Sequence, residues 1–452
     1  MELVQTDAYY RYQKHILHNE AHLLSGADEN ALKNVQASEK AGMPVQEFVD
    51  MNSKQFENLA DQLRVHIDVF QRGSDQKTHY PSSQKLWKLC AAAGDIYKKE
   101  YKGLYCVGCE TFYTRDELDE KGECFEHPGK KLDEVSETNY FFSLSKYQKQ
   151  IVALIESDTL KVYPQPKKNE ILSFLKEPLQ DISISRSNKR AKNWGVPVPG
   201  DDSQRMYVWF DALNIYQSGV GFGWDDKKYA KWWPADVHVI GKGIIRFHAV
   251  YWPAFLMSAG LPIPKSLFVH GYITSEGQKM SKTLGNVVDP FDVIKRYGTD
   301  PVRYYLLREI PAYSDGDYSD SRFKEVYNGD LANGLGNLVA RITKLCEGIA
   351  FEPGAVTVRD VYATAISEFR FNDALESVWV EIRKLDKYIN DKEPWKIKDA
   401  NERELAMRPA LVHLHSIAYH LQPFLPVTAE TILSSLTGTV TKPEALFPRL
   451  TD

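Results

Sequence analysis

Two lysines three residues apart, Lys279 and Lys282, carry the most pointed chemistry in the chain. They lie in Gly277-Gln278-Lys279-Met280-Ser281-Lys282-Thr283-Leu284-Gly285-Asn286, a short polar stretch with a glycine at either end. Two mobile ammonium groups on a hinged loop suit the holding of a polyphosphate while charge moves onto a leaving group. A bare Lys-x-x-Lys also fits a solvated turn. A second set of reactive types is Cys106-x2-Cys109, a 14-residue gap, then Cys124-x2-His127. Two knuckles of soft ligands match tetrahedral Zn²⁺, against the alternative of a chance cluster of buried cysteines. Four protein ligands leave no place for water, so such a site is structural and staples a small polar insertion. Cys90 and Cys346 fall outside the pattern and read as core residues.

The elements around these residues must place them. Leu267, Phe268 and Val269, then Tyr272 and Ile273, lead into the lysine loop; Val287 to Pro290 lead out, and a helix is predicted from Phe291. Residues 3 to 15 read as an amphipathic helix. Ala21 to Leu24 read as a strand entering a turn over Ser25 to Asn30. Ligands sit at such strand ends in open α/β sheets, so Asp28 could meet a cationic group; an acidic helix cap is the equal alternative. Met206 to Leu213 read as a strand, with Tyr216 in a following helix. Trp209 and Tyr216 can wall an apolar pocket, although core aromatics are common. Val237 to Gly243 read as another strand running into a glycine turn, followed by a helix with Arg246, Phe247 and His248. Gly241 and Gly243 let backbone amides approach a nucleotide at a helix start. His248 alone reads as a satisfied core histidine. Beyond the loop the chain is helical: Asn333, Asn337 and Arg341 are spaced on one face, and Glu393-Pro394-Trp395 opens another stretch. Amides and a guanidinium beside an exposed ring are how proteins read unpaired RNA bases; a helix cap and a core tryptophan are the plainer reading.

Composition is that of an ordinary globular protein: 452 residues, 43% apolar, 26% charged, net charge -5. The balance excludes a protein covered in positive charge but not a local RNA-binding face. No stretch is long and apolar enough to span a membrane. The N-terminus, Met1 to Asp7, has neither a signal-peptide nor a transit-peptide pattern. Five cysteines, three of them clustered, point to metal in a reducing compartment rather than a disulfide scaffold.

The Lys-Met-Ser-Lys string resembles the signature lysine loop of class I aminoacyl-tRNA synthetases, here with Thr283 in the last place. The resemblance implies an ATP-dependent adenylation site, with Lys279 and Lys282 catalytic, Gly241, Met280 and Ser281 also at ATP, and Mg²⁺ on the triphosphate. Gly26-Ala27-Asp28-Glu29-Asn30 is similar to the Gly-Thr-Asp-Glu-His segment of methionyl-tRNA synthetases, with Ala27 and Asn30 as departures. That match implies that Asp28 binds the α-ammonium of the substrate. Tyr207-Val208-Trp209-Phe210-Asp211-Ala212 resembles the Tyr-Val-Trp-Leu-Asp-Ala segment of the same family. It implies that Trp209 and Tyr216 line a side-chain pocket suited to a thioether, with His248 as the pocket histidine. Gly243 stands where the family usually has Asp. The single knuckle resembles the connective insertion of bacterial-type members. Asn333-x3-Asn337-x3-Arg341 with Pro394-Trp395 resembles the anticodon-binding bundle, which implies that Asn337, Arg341 and Trp395 read CAU. The basic stretch 181–194 is then either a solvated loop or a contact for the tRNA acceptor end.

The family's second ATP motif, His-x-Gly-His, is absent from the sequence. His15-Ile16-Leu17-His18 is a decoy: Leu17 stands where glycine must let the backbone pass close to ATP, and no strand precedes it. By the family's spacing the motif would fall immediately before Met1. The resemblance therefore covers nearly all of the chain but begins one strand and one motif late, as in an N-terminally truncated member. No counterpart of the appended C-terminal dimerising domain of some relatives is expected. The expected fold is α/β: a Rossmann-type parallel sheet with a zinc-knuckle insertion, then an all-α anticodon-binding bundle. The first part of the Rossmann domain spans 1–93, the insertion 94–200, the second part 201–265, the lysine-loop and stem-contact region 266–325, and the bundle 326–452. Loss of a strand would leave a sheet edge or groove unfilled. The expected activity is that of a methionine–tRNA ligase: ATP-dependent activation of L-methionine to methionyl adenylate, then transfer to tRNA(Met). Alternatives are a tRNA-binding remnant with a dead adenylation site, or a synthetase for another amino acid, although the insertion is too short for the editing domain of the Leu, Ile and Val enzymes. A cytoplasmic monomer with one structural Zn²⁺ is expected.

Overall fold

The computed structural model describes residues 1–106, 111–113, 118–125, 129–280 and 285–450, with the backbone alone at 101, 102, 111, 112 and 135. The chain opens with α1 (Glu2–Arg11), which runs on as a π turn over Tyr12–Ile16. It then folds as two units: residues 24–58 with 67–269, and residues 1–23 with 59–66 and 270–452.

In the first unit, β1 (Leu24–Ala27) pairs in parallel with β2 (Val69–Arg72), Gly26 opposite Gln71. A parallel pair needs a long crossover, and α2 (Leu32–Ala41) and α3 (Val45–Gln62) supply it. Gly26 is required by space: a Cβ there would stand 2.5 Å from the Gln71 carbonyl oxygen. After α4 (His79–Ala92) come β3 (Ile96–Cys106), β4 (Thr111–Tyr113) and β5 (Asp133–Phe142), an antiparallel insertion whose long ladder runs from Ile96↔Phe142 to Tyr105↔Asp133. Next are β6 (Lys161–Tyr163), β7 (Ser185–Ser187) and β8 (Asp201–Met206), the last two antiparallel. The helices α5 (Val208–Ala212) and α6 (Ile215–Ser218) follow, then β9 (His238–Gly241), α7 (Trp252–Ser258) and β10 (Ser266–His270). The strand order of a second sheet is β9-β10-β6, with β10 and β6 parallel. Trp87, Phe142, Phe210, Trp252, Phe255 and Leu267 are buried in one core. Each such side chain contributes about 1.5–3 kcal/mol of burial free energy.

Three differences from the sequence reading are informative. In the first unit the parallel pairs β1–β2 and β10–β6 lie in separate sheets, because among the described residues β1 and β2 pair only with each other. The predicted strand at Ala21–Leu24 lies three residues later, where β2 offers a partner. The predicted strand over Met206–Leu213 ends at Met206. Tyr207 gives its N–H to Ile184 O, and beyond it the N–H groups of Phe210 and Asp211 turn back to Tyr207 O. An apolar run too short to show its period fits a helical turn as well as a strand.

In the second unit, β11 (Ile273–Ser275) and β12 (Gln278–Lys279) form a hairpin, with β13 (Gly316–Tyr318) parallel to β11. The helix α8 (Pro290–Tyr297) starts with proline at its first position and Asp289 capping the Phe291 N–H. Then come α9 (Thr299–Arg308), α10 (Asn337–Leu345), α11 (Asp360–Ser367), α12 (Phe371–Lys392), α13 (Ala400–Leu421) and α14 (Pro426–Leu436). Leu338, Ile342, Val378, Ile382, Leu411, Leu414 and Ile432 are buried. Arg303 on α9 is fully buried: it pairs with Asp7 on α1 at 2.6 Å and donates to the carbonyls of Leu63, Pro423 and Phe424. No described helix is long and apolar enough to cross a membrane.

Candidate active site

The lysine loop grows out of the hairpin. Thr274 pairs with Lys279 and Ser275 with Gln278, so Glu276 and Gly277 form a two-residue turn. Both have positive φ, 51° and 72°, as the tight hairpin turn demands. Asp317 on β13 fastens the turn, accepting from Thr274 Oγ1 at 2.6 Å and from Gly277 N at 2.8 Å. Lys279 is exposed and Met280 half-buried, and Asn286 Nδ2 donates back to Lys279 O at 3.3 Å. Gly285 also has positive φ, so both ends of the stretch turn on glycine. Ser281 and Lys282 lie outside the described residues.

Trp209, Tyr216 and His248 come together in the other unit. His248 Nδ1 lies 2.9 Å from Ile244 O, and a carbonyl only accepts, so Nδ1 carries the proton. In the neutral ring Nε2 then accepts, and Tyr216 donates its hydroxyl at 2.8 Å. Trp209 stacks flat on Phe247, centroids 3.8 Å apart, and lies 6.5 Å from the His248 ring. Tyr216 stacks on His238 at 3.9 Å. His238 is buried, and burial first, with His248 second, holds its pKa well below the ordinary imidazole value. This group of aromatic and neutral polar faces suits an uncharged, polarisable side chain. His248 sits on a π turn, Phe247–Tyr251.

Asp28 is half-buried just past the end of β1, and the cap position of α2 is Ala31. Its neighbours Glu29 and Asn30 are buried and pin the segment. Glu29 accepts from Ser53, Arg72 and Ser74, and its carbonyl takes the Trp194 Nε1–H at 2.8 Å. Gly241 ends β9, and Lys242–Ile244 continue as a 3-10 turn with Gly243 exposed. The stretch 181–194 is not a solvated loop: Arg186 is buried, Arg190 lies over the Tyr105 ring at 4.0 Å and pairs with Glu137, and Lys192 pairs with Glu39.

Of the knuckle residues, Cys106 and Cys124 are described, and Cys109 and His127 lie outside the described residues. Cys106 and Cys124 are thiols buried in one small cluster with Leu132. Cys106 closes β3, and Cys124 Sγ is 3.4 Å from the Tyr113 hydroxyl. Among the described residues no group of three or more His, Cys, Asp and Glu side chains could hold a metal. Two soft thiols drawn into one apolar cluster fit half of a tetrahedral set.

In the helical part, Tyr327–Gly336 is a π-helix, so Asn333 does not follow the four-residue α spacing; its Oδ1 accepts from Arg449 at 2.7 Å. Asn337 is exposed at the start of α10. Arg341 lies over the Trp395 ring at 5.7 Å, and Asp386 and Asn390 each hold one of its nitrogens at 2.7 Å. Trp395 is 51% exposed, so its ring is available for stacking rather than spent in a core.

Sequence reasoning missed Phe247 as the partner of Trp209, and His238 as the ring stacked on Tyr216. Their aromatic type was the only available signal.

A model of the family described as tRNA synthetases class I (M) matches residues 1–343. The methionine–tRNA ligase of Brucella suis biovar 1 is 38% identical over 456 residues, covering 96% of this chain and 87% of that protein. The methionine–tRNA ligase of Thermotoga maritima is 40% identical over 450 residues, covering 95% and 71%. The structure is similar to that of Mycobacterium tuberculosis methionyl-tRNA synthetase bound by methionyl-adenylate. The TM-score is 0.89 at 34% identity, over 99% of this chain and 96% of that one.

Proposed function

This chain belongs to the class I tRNA synthetases of type M, and we propose that it is a methionine–tRNA ligase. The methionine carboxylate attacks the α-phosphorus of ATP; the bond to the bridging oxygen breaks, and pyrophosphate leaves with the electron pair. The terminal ribose hydroxyl of the tRNA then takes the acyl group and AMP leaves. Such chemistry needs positioning and charge stabilisation more than covalent help from the protein. The observation that carries the reading is the Trp209–Phe247, Tyr216–His248 cluster, an aromatic group with no charged side chain among its named members.

The residues divide the work as follows. Trp209, Tyr216 and His248 take the thioether side chain, and Asp28 takes the α-ammonium. Gly241 and the stretch from Lys279 to Lys282, with Met280 and Ser281, serve ATP. Lys279 and Lys282 supply positive charge to the triphosphate, on whose oxygens Mg²⁺ would add charge neutralisation. Asn337, Arg341 and Trp395 read the anticodon. Cys106, Cys109, Cys124 and His127 would hold one structural Zn²⁺. The protein acts in the cytoplasm as a monomer.

Pyrophosphate exchange with methionine, leucine, isoleucine, valine and cysteine tests the reading. Exchange that depends on methionine alone supports it; exchange with another of the set refutes it. Lys282→Ala should cut the exchange by orders of magnitude and leave methionine binding near the native value. Equal loss of both would remove Lys282 from its role.

A further inference from the structure

Four buried polar side chains, far apart in sequence, form one hydrogen-bonded chain through the first unit. Asn30 Nδ2 donates to Gly73 O at 2.7 Å and to Asp211 Oδ2 at 2.5 Å. The other carboxylate oxygen, Asp211 Oδ1, accepts from His79 Nε2 at 2.6 Å and from Ser83 Oγ at 3.2 Å. His79 Nδ1 meets Ser218 Oγ at 2.8 Å. Asn30 is 8% exposed, Asp211 1%, and His79 and Ser218 are fully buried. A carboxylate out of reach of water keeps its place only while donors hold it.

The chain matters because of what stands beside three of its members. Asn30 is two residues after Asp28, Asp211 two after Trp209 on α5, and Ser218 two after Tyr216 on α6. We propose that Asn30, Asp211, His79 and Ser218 are positioning residues that fix the α-ammonium carboxylate and the aromatic walls at one spacing, and so set methionine affinity. The proposal rests on the assignment of Asp28, Trp209 and Tyr216 to methionine. None of the four is assigned to the substrate; Asn30, Asp211 and Ser218 act through neighbours two residues away, and His79 joins Asp211 to Ser218. Buried partners that lock a recognition residue are as decisive as the residue itself.

The test is equilibrium dialysis of labelled methionine against the full chain, which needs no turnover. Asn30→Asp places a second carboxylate against Asp211. Two carboxylates at hydrogen-bond distance share a proton. Methionine binding by this variant should weaken about tenfold at pH 8 and recover as the pH falls to about 5.5. Asn30→His, which restores a donor, should bind within about threefold of native. His79→Gln keeps a donor without the fixed ring, should also weaken binding, and decides the matter should Asn30→Asp fail to fold. A merely structural role would lower the melting temperature without this pH-dependent recovery. Folded Asn30→Asp and His79→Gln that bind methionine as native at pH 8 would overturn the proposal. Asp28→Asn and Trp209→Ala, measured alongside, separate the two claims. If they weaken binding and the network variants do not, only the positioning role fails; if they do not, the methionine assignment fails with it.

Discussion

Tyr216 gives its hydroxyl proton to Nε2 of His248 across 2.8 Å, and the direction is set by the Ile244 carbonyl behind the ring. The phenol oxygen is left with lone pairs and no proton for a ligand. An aromatic cluster built this way suits a soft, uncharged side chain better than one that must itself accept a hydrogen bond. Tyr216→Phe removes this donor from the buried His248, at a cost of roughly 1–3 kcal/mol. Calorimetry should show methionine binding about tenfold weaker and ATP binding unchanged.

His238 makes the fold sensitive to acid. Burial and His248 hold its pKa well below the ordinary value. The unfolded chain therefore takes up a proton at this residue near pH 6.5 that the folded chain refuses. Its contribution to stability is fully present above that pH and falls on acidification, by up to about 1.4 kcal/mol per pH unit. Urea unfolding at pH 7.5 and 5.5 should show a larger loss for the native chain than for His238→Phe.

Trp395 is 51% exposed, and the half-buried Arg341 lies over its ring. Loss of a stacking ring costs about 1–3 kcal/mol per base. Trp395→Ala and Arg341→Ala should each raise the KM for tRNA about tenfold or more. Methionine-dependent pyrophosphate exchange should stay at the native rate.

The knuckle should hold metal independently of activity. Purified protein should carry about one zinc per chain. Cys124→Ser should lower that content and make the insertion the first segment cut by protease. Full zinc content in Cys124→Ser would contradict the ligand assignment.

Local strings were the legible part. The lysine loop announced itself because its residues are contiguous, and its glycines do take the left-handed turns that a hinge requires. Trp209, Tyr216 and His248 were legible by type, yet the strand assigned to Trp209 is a helix, since a short apolar run carries no decisive period. The network was not legible. Asn30 and Asp211 are 181 residues apart and His79 and Asp211 are 132 apart, and no local pattern marks either pair. Asn30 showed in the sequence only as a departure from a family segment; the fold shows what its amide does. The two-sheet arrangement was equally hidden, because strand pairing is a long-range property.

Aminoacylation of a tRNA bearing the CAU anticodon is the most direct test of the whole account. The chain, given methionine, ATP and Mg²⁺, should esterify methionine to the 3′ end of that tRNA and should leave leucine, isoleucine, valine and cysteine uncharged. Binding of the tRNA with no esterified methionine, or charging with another amino acid, would contradict it.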